Sequence, residues 1–159
     1  MSPPSFHIVL VEPEIPPNTG NVARLCAATG STLHLVHPLG FSLDDKHLRR
    51  AGLDYWPQVR VVEHRDLPAF LEASRGGRLL LFSKRGERPY TQAPFRPGAY
   101  LLFGRETRGL PPWLLERYRD STFHIPTWGG VRSLNLSTAV GIVAYEGFRQ
   151  VGFGPHRPA

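Results

Sequence analysis

Short apolar runs, separated by segments of helical periodicity, constrain this chain more than any other feature. FHIVLV at 6–11, TLHLV at 32–36, VRVV at 59–62, LLLF at 79–82, YLLF at 100–103 and TFHI at 122–125 are mostly apolar, interrupted by His7, Thr32, His34, Arg60, Thr122 and His124. Such runs are buried on both faces, the state of parallel strands covered by helices. Between them lie candidate helices. Asn21 to Thr29 carries Val22, Leu25, Cys26 and Thr29 on one stripe and ends at Gly30. A basic segment, DDKHLRRAGLDYW, begins at Asp44; further helices are predicted over Asp66 to Ser74, Pro111 to Tyr118 and Leu136 to Gln150. The alternation predicts an α/β fold: one domain over 1–159, with a mostly parallel six-stranded sheet and helices on both faces. The core is expected over about 6–152, with 153–159 a loose tail.

Composition narrows the function. At 41% hydrophobic and 20% charged residues the chain reads as globular rather than disordered. No apolar run approaches the ~20 residues of a membrane span, and MSPPSFHIVLVEP lacks the features of a signal peptide, so a cytoplasmic location and no membrane partner are expected. Cys26 falls among Ala and Leu on a helical pattern, as a small core residue does. Nineteen Lys and Arg against 13 Asp and Glu give a net charge of +6, and Lys46 and Lys84 are the only lysines. Arginine suits bidentate phosphate contacts, which points to a polyanionic partner; an arginine-biased composition is the bland alternative.

Three polar loops follow strands. PPNTGNVAR, from Pro16, reads as a turn with Asn21 capping a helix, and places Arg24 opposite the apolar stripe. FGRETRGL spans 103–110 and is not a dinucleotide fingerprint; no phosphate-binding loop of the GxxxxGK type occurs. IPTWGGVRSLNLS, 125–137, leads into the last helix and contains no nucleophile elbow around Ser133. Only His34 and His37 are closely spaced among the histidines, with no Cys or acidic cluster beside them, so no metal site is expected.

Together, Asn18-Thr19-Gly20-Asn21 with Arg24, Gly104-x-Glu106-x-x-Gly109-Leu110, and Ile125-Pro126 followed by Arg132-Ser133-Leu134-Asn135-Leu136-Ser137 resemble the three motifs of the SPOUT methyltransferases. VEPEIPPNTGNVARLCAATG, DDKHLRRAGLDYW and RSLNLSTAVGIVAYEGFRQ are similar to the small TrmL/YibK type, tRNA (cytidine/uridine-2′-O)-methyltransferases of the wobble nucleotide. The likeness runs from about Phe6 to Gly152.

This resemblance implies a deep C-terminal trefoil knot and S-adenosylmethionine as methyl donor, without a metal. It implies a cofactor pocket of Phe82, Gly104, Ile125, Ser133 and Leu134, with Gly104 letting the backbone approach the ligand. Arg24, Asn18, Glu106, Ser133 and Asn135 would form the polar reaction site. In the wider family the arginine is proposed as base. Stripping a guanidinium of its proton at neutral pH costs roughly 7 kcal/mol, so orienting the ribose hydroxyl and stabilising its developing charge is the favoured role. Glu106 reads either as an acid/base group or as a carboxylate that holds its loop, and Ser133 and Asn135 equally suit helix N-caps.

The last helix has one apolar stripe at Val140, Val143, Ala144, Gly147 and Val151 and another face at Thr138, Ile142 and Tyr145. Two faces want two partners, and the resemblance likewise implies a homodimer. The expected substrate is the tRNA anticodon stem-loop, not DNA. Lys46, Arg49, Arg50, Lys84, Arg85, Arg88, Arg105, Arg108 and Arg132 would meet its phosphates, and Tyr55, Trp56 or Trp128 its bases. Alternatives are a methyltransferase of another RNA position or of ribosomal RNA, and a non-catalytic RNA-binding protein. A degenerate protein should lack a motif residue; here all are present.

Overall fold

The computed structural model describes residues 5–46, 48, 50 and 56–159. The basic segment predicted from Asp44 to Trp56 falls largely outside them, Arg49 and Tyr55 included. In chain order the regular elements are β1 (His7–Val11), α1 (Pro16–Thr29), β2 (Thr32–Val36), β3 (Val61–His64), α2 (Leu67–Ala73), β4 (Leu79–Phe82), β5 (Arg88–Pro89), β6 (Tyr100–Phe103), α3 (Pro112–Arg117), β7 (Thr122–His124) and α4 (Leu136–Val151). Among the described residues the strands form one parallel sheet in the order β3-β2-β1-β6-β4-β7-β5.

Seven strands stand where six were expected. The addition, Arg88–Pro89, is two residues long and has no apolar run to announce it; it exists because β7 offers a free edge, with Arg88 opposite Phe123. Strand β3 lies two residues later than predicted, because His64 is buried beside His34 and Phe70. The larger correction is α1. Its predicted start was Asn21, yet it begins at Pro16, and the Pro-Asn-Thr-Gly stretch forms its first turns. Prolines fit there because first-turn N–H groups have no intrahelical acceptor anyway. The other end is as expected: Gly30 closes the helix at φ 69°.

Alternate strand residues feed two cores. Ile8, Leu10, Leu33, Leu35, Leu101 and Phe103 pack with Val22, Cys26, Val140 and Val143 beneath α1 and α4. Val9, Val11, Val36, Leu81 and Leu102 pack with Leu67, Phe70 and Leu114 beneath α2 and α3. Burial pushes the Cys26 thiol up to about 12, which keeps it protonated and inert. On the second face His7, His34 and His64 form a chain across three strands, with ring nitrogens 2.8 and 2.9 Å apart.

Strand order places the site. From β1 the chain winds outward to β2 and β3, whereas β6 and β4 lie on its other side. The direction of winding therefore reverses between β1 and β6, and the loops leaving their carboxyl ends diverge to open a crevice. The loop after β1 carries the first motif and the loop after β6 the second, so residues about 90 apart in sequence become neighbours.

Candidate functional site

The crevice is closed by one carboxylate. Glu106 accepts hydrogen bonds from the backbone N–H groups of Glu14 and Ile15, both at 2.8 Å, and from the side-chain amide of Asn18 at 3.1 Å. Ile15, the N-cap of α1, has no side-chain cap of its own. Glu106 supplies the missing acceptors from the second loop and sets a negative charge at the positive end of α1.

The remaining hydrogen-bond directions follow from that carboxylate. Glu106 only accepts, so Asn18 turns its NH₂ group to it and leaves Oδ1 for the Asn135 amide at 3.0 Å. Asn135 Oδ1 then accepts from Ser137 Oγ at 2.6 Å and from the Thr138 N–H at 3.2 Å, capping α4. Glu106, Asn18 and Asn135 thus join all three polar loops through half-buried bonds, the one to Ile15 being exposed. A second brace runs beside them: Glu14 accepts from the N–H of Thr107 at 3.1 Å and from its hydroxyl at 2.7 Å, which holds the Glu14 carboxyl below its ordinary range. The sequence carries no signal for this brace, since its partners are 93 residues apart.

Two expected site residues stand outside the network. Arg24 lies on the exposed stripe of α1 with Pro17, Asn21 and Ala28, while Asn18, Val22 and Cys26 face inward. Ser133 is exposed and makes no hydrogen bond among the described residues.

Phe82, Gly104 and Ile125 stand at or just past the carboxyl ends of β4, β6 and β7, which are neighbours in the order β6-β4-β7. Gly104 has a structural reason beside the expected one. A Cβ there would lie 2.0 Å from the Gly109 carbonyl carbon and 2.1 Å from the Leu110 nitrogen, so the protein's own backbone excludes a side chain. The turn 105–110 folds back onto the strand end, closed by the Gly109 N–H to Arg105 carbonyl bond at 2.8 Å.

Residues 126–134 contribute no backbone–backbone hydrogen bond among the described residues. Their N–H and carbonyl groups stand beside half-buried Ile125 and Leu134. This donor and acceptor set fits a ligand with an apolar plane and hydrogen-bonding edges, as an adenosine has. Among the described residues, no group of three His, Cys, Asp or Glu side chains is placed to hold a metal ion, and no helix is long and apolar enough to cross a membrane.

The expected RNA-facing residues divide. Lys46, Arg50, Lys84, Arg85, Arg108 and Arg132 are exposed. Arg88 is occupied: it donates to the Asp120 carbonyl at 2.7 Å and lies 4.8 Å from the Phe123 ring centroid. Arg105 approaches Glu12 at 4.0 Å. Trp56 packs against the core, whereas Trp128 is 91% exposed in the third loop.

Residues 5–145 match the SpoU rRNA Methylase family. Over 151 residues the chain is 51% identical to the tRNA (cytidine(34)-2′-O)-methyltransferase of Burkholderia pseudomallei, covering 93% of this chain and 97% of that one. A solved structure bearing on the 2-OH methylation of C/U34 on tRNA superposes with a TM-score of 0.88 at 55% identity, over 92% of this chain and 96% of the other. The fold also extends to the SpoU methyltransferase AviRb from Streptomyces viridochromogenes in complex with AdoMet, at TM-score 0.79 and 24% identity, over 94% of this chain and 62% of that one.

Proposed function

The chain belongs to the SpoU rRNA Methylase family, and we propose that it is a tRNA 2′-O-methyltransferase acting on the nucleotide at position 34, cytidine or uridine. One observation carries the reading: a chain alike over nearly its whole length to an enzyme of that activity joins its three motif loops through Glu106, Asn18 and Asn135.

The methyl donor is S-adenosylmethionine, which supplies a methyl group already activated on sulfonium. Phe82, Gly104, Ile125, Ser133 and Leu134 would hold it, the unclaimed backbone groups of the third loop serving as donors and acceptors. With the methyl activated, the protein must align a ribose hydroxyl, keep water out and stabilise the charge that grows on the 2′-oxygen. Arg24 takes that last part. Its position on the exposed stripe of α1, six residues beyond Asn18, suits a group that meets RNA rather than one buried in the core. Glu106, Asn18 and Asn135 act as positioning residues that set the start of α1, and hence Arg24, relative to the donor pocket.

A homodimer completes the reading, supported by the second face of α4. Thr138 and Tyr145 are exposed and Ile142 half-buried, opposite the fully buried Val140, Val143 and Ala144. The knotted C-terminal segment belongs to it as well, supported by β7 lying between β4 and β5 and by the tight approach of Gly86 to the Phe123 backbone. A cytoplasmic location goes with this reading, supported by tRNA as the substrate.

The test is incubation with total tRNA and labelled methyl donor in the presence of a chelator, followed by mapping of the 2′-O-methylated nucleotide. Label at position 34 is the expected result. Label elsewhere, or none with donor shown to bind by calorimetry, overturns the assignment.

A further inference from the structure

A second concave surface opens at the opposite end of the strands from the motif loops. It is an open cleft of about 840 Å³ between the end of α2, the start of β4 and helix α3. Arg75, Arg78 and Arg117 line it with Trp113, Tyr118 and Glu72. Glu72 is taken up by Arg75 at 2.6 Å. Arg78 and Arg117 are exposed and have no carboxylate partner among the described residues; Arg117 lies over the Tyr118 ring, 5.4 Å from its centroid. Trp113 is 49% exposed at the wall of the cleft. The frame is rigid. Gly77 sits so close to Tyr100 that a Cβ would come within 2.7 Å of its ring, and Leu114 anchors α3 in the core.

Two unpaired guanidinium groups beside an exposed indole make a defined chemistry: forked donors for phosphate oxygens and a flat face for a base. Walls built largely of exposed side chains suit a polymer lying across the surface better than an enclosed small molecule. We propose that this cleft is a second RNA-docking surface, which takes the phosphate backbone and an unstacked base of a tRNA away from the nucleotide that is methylated. The inference rests on the reading of tRNA as substrate. A four-residue strand such as β4 spans roughly 13 Å, so the cleft is well separated from the carboxyl edge where the motif loops lie. RNA engaged there must therefore extend beyond the nucleotides that occupy the crevice.

The experiment compares a full-length tRNA transcript carrying cytidine 34 with its isolated anticodon stem-loop. The variants are Arg78→Glu with Arg117→Glu, and separately Trp113→Ala; all three residues are exposed, and none belongs to the crevice. On full-length tRNA the KM should rise about tenfold for the double charge reversal and several-fold for Trp113→Ala. The salt dependence of binding by the double variant should flatten by about two units of log–log slope. On the stem-loop both kcat and KM should stay at wild-type values. Unchanged KM and salt slope on full-length tRNA overturn the proposal, as does equal loss on both RNAs. Labelled polyglutamate binding to the wild type but not to the double variant, while both bind tRNA with equal affinity, would assign the cleft to an acidic polypeptide instead. Should the wild type methylate neither RNA, the proposed activity fails, while fluorescence anisotropy of labelled tRNA still reads the cleft.

Discussion

Replacing Glu106 by glutamine tests whether this carboxylate braces the site or trades protons in the reaction. Oε1 accepts from the Glu14 N–H, and Oε2 from both the Ile15 N–H and the Asn18 amide. Glutamine best keeps its carbonyl oxygen at the Oε2 position, where it serves two donors. Its NH₂ group then faces the Glu14 N–H, donor against donor. One hydrogen bond to a charged acceptor is lost, worth roughly 1.5–3 kcal/mol, and two others fall to neutral strength. Water reaches the Ile15 bond and relieves part of the cost, so the expected loss of stability is about 2–4 kcal/mol. Urea unfolding should read this as a midpoint lower by about 1–2 M, for a slope near 2 kcal/mol/M. Methyl transfer should fall as well, because Asn18 and Asn135 lose the acceptor that orients them, while the pH profile of the residual kcat keeps its wild-type shape. A Glu106→Gln protein within about 0.5 kcal/mol of wild type, whose kcat has lost a pH-dependent limb, would refute the brace and make Glu106 a proton-transfer group.

Three further outcomes follow from the geometry. Gly104→Ala should destabilise by more than about 3 kcal/mol or prevent soluble expression, since its Cβ would collide with the Gly109–Leu110 backbone; a wild-type melting temperature would sink this. Burial, together with the charges of His7, His64 and Arg60, lowers the His34 pKa from the ordinary 6.5 to about 3. The unfolded chain therefore binds a proton below pH 6.5 that the folded one refuses, and His34 stabilises the fold above that pH and progressively less below it. Between pH 7 and 5 about 2 kcal/mol should be lost through this group, with His7 and His64 shifted in the same direction; His34→Gln should flatten the slope by about one proton, and a parallel slope refutes the account. Arg24→Ala should leave S-adenosylmethionine affinity unchanged by calorimetry while methyl transfer at saturating tRNA falls by a factor on the order of 100, with little rescue by lysine; a wild-type single-turnover rate would reduce Arg24 to RNA recruitment.

The apolar runs determined the layered fold by themselves, because a strand buried on both faces is mostly apolar at successive positions and this chain repeats that pattern with helices between. Gly30 and Asp66 were legible for the same local reason: a left-handed C-cap favours glycine, and Asp66 accepts from the Ala69 N–H at 2.9 Å within one turn. The motif residues were legible as a resemblance, although their spacing did not say how they meet. What lay outside the sequence is contact across long separations. Helix α1 begins five residues earlier than its own residues suggested because its cap comes from Glu106. Gly104 is glycine because Gly109 and Leu110 return to it, and Arg88 joins β5 instead of reaching outward because β7 lies beside it. The histidine chain and the arginine-lined cleft arise in the same way, from side chains on separate strands and helices that only the sheet order brings together. Local signals record what each residue needs from its neighbours in the chain; strand order decides which distant residues supply the rest.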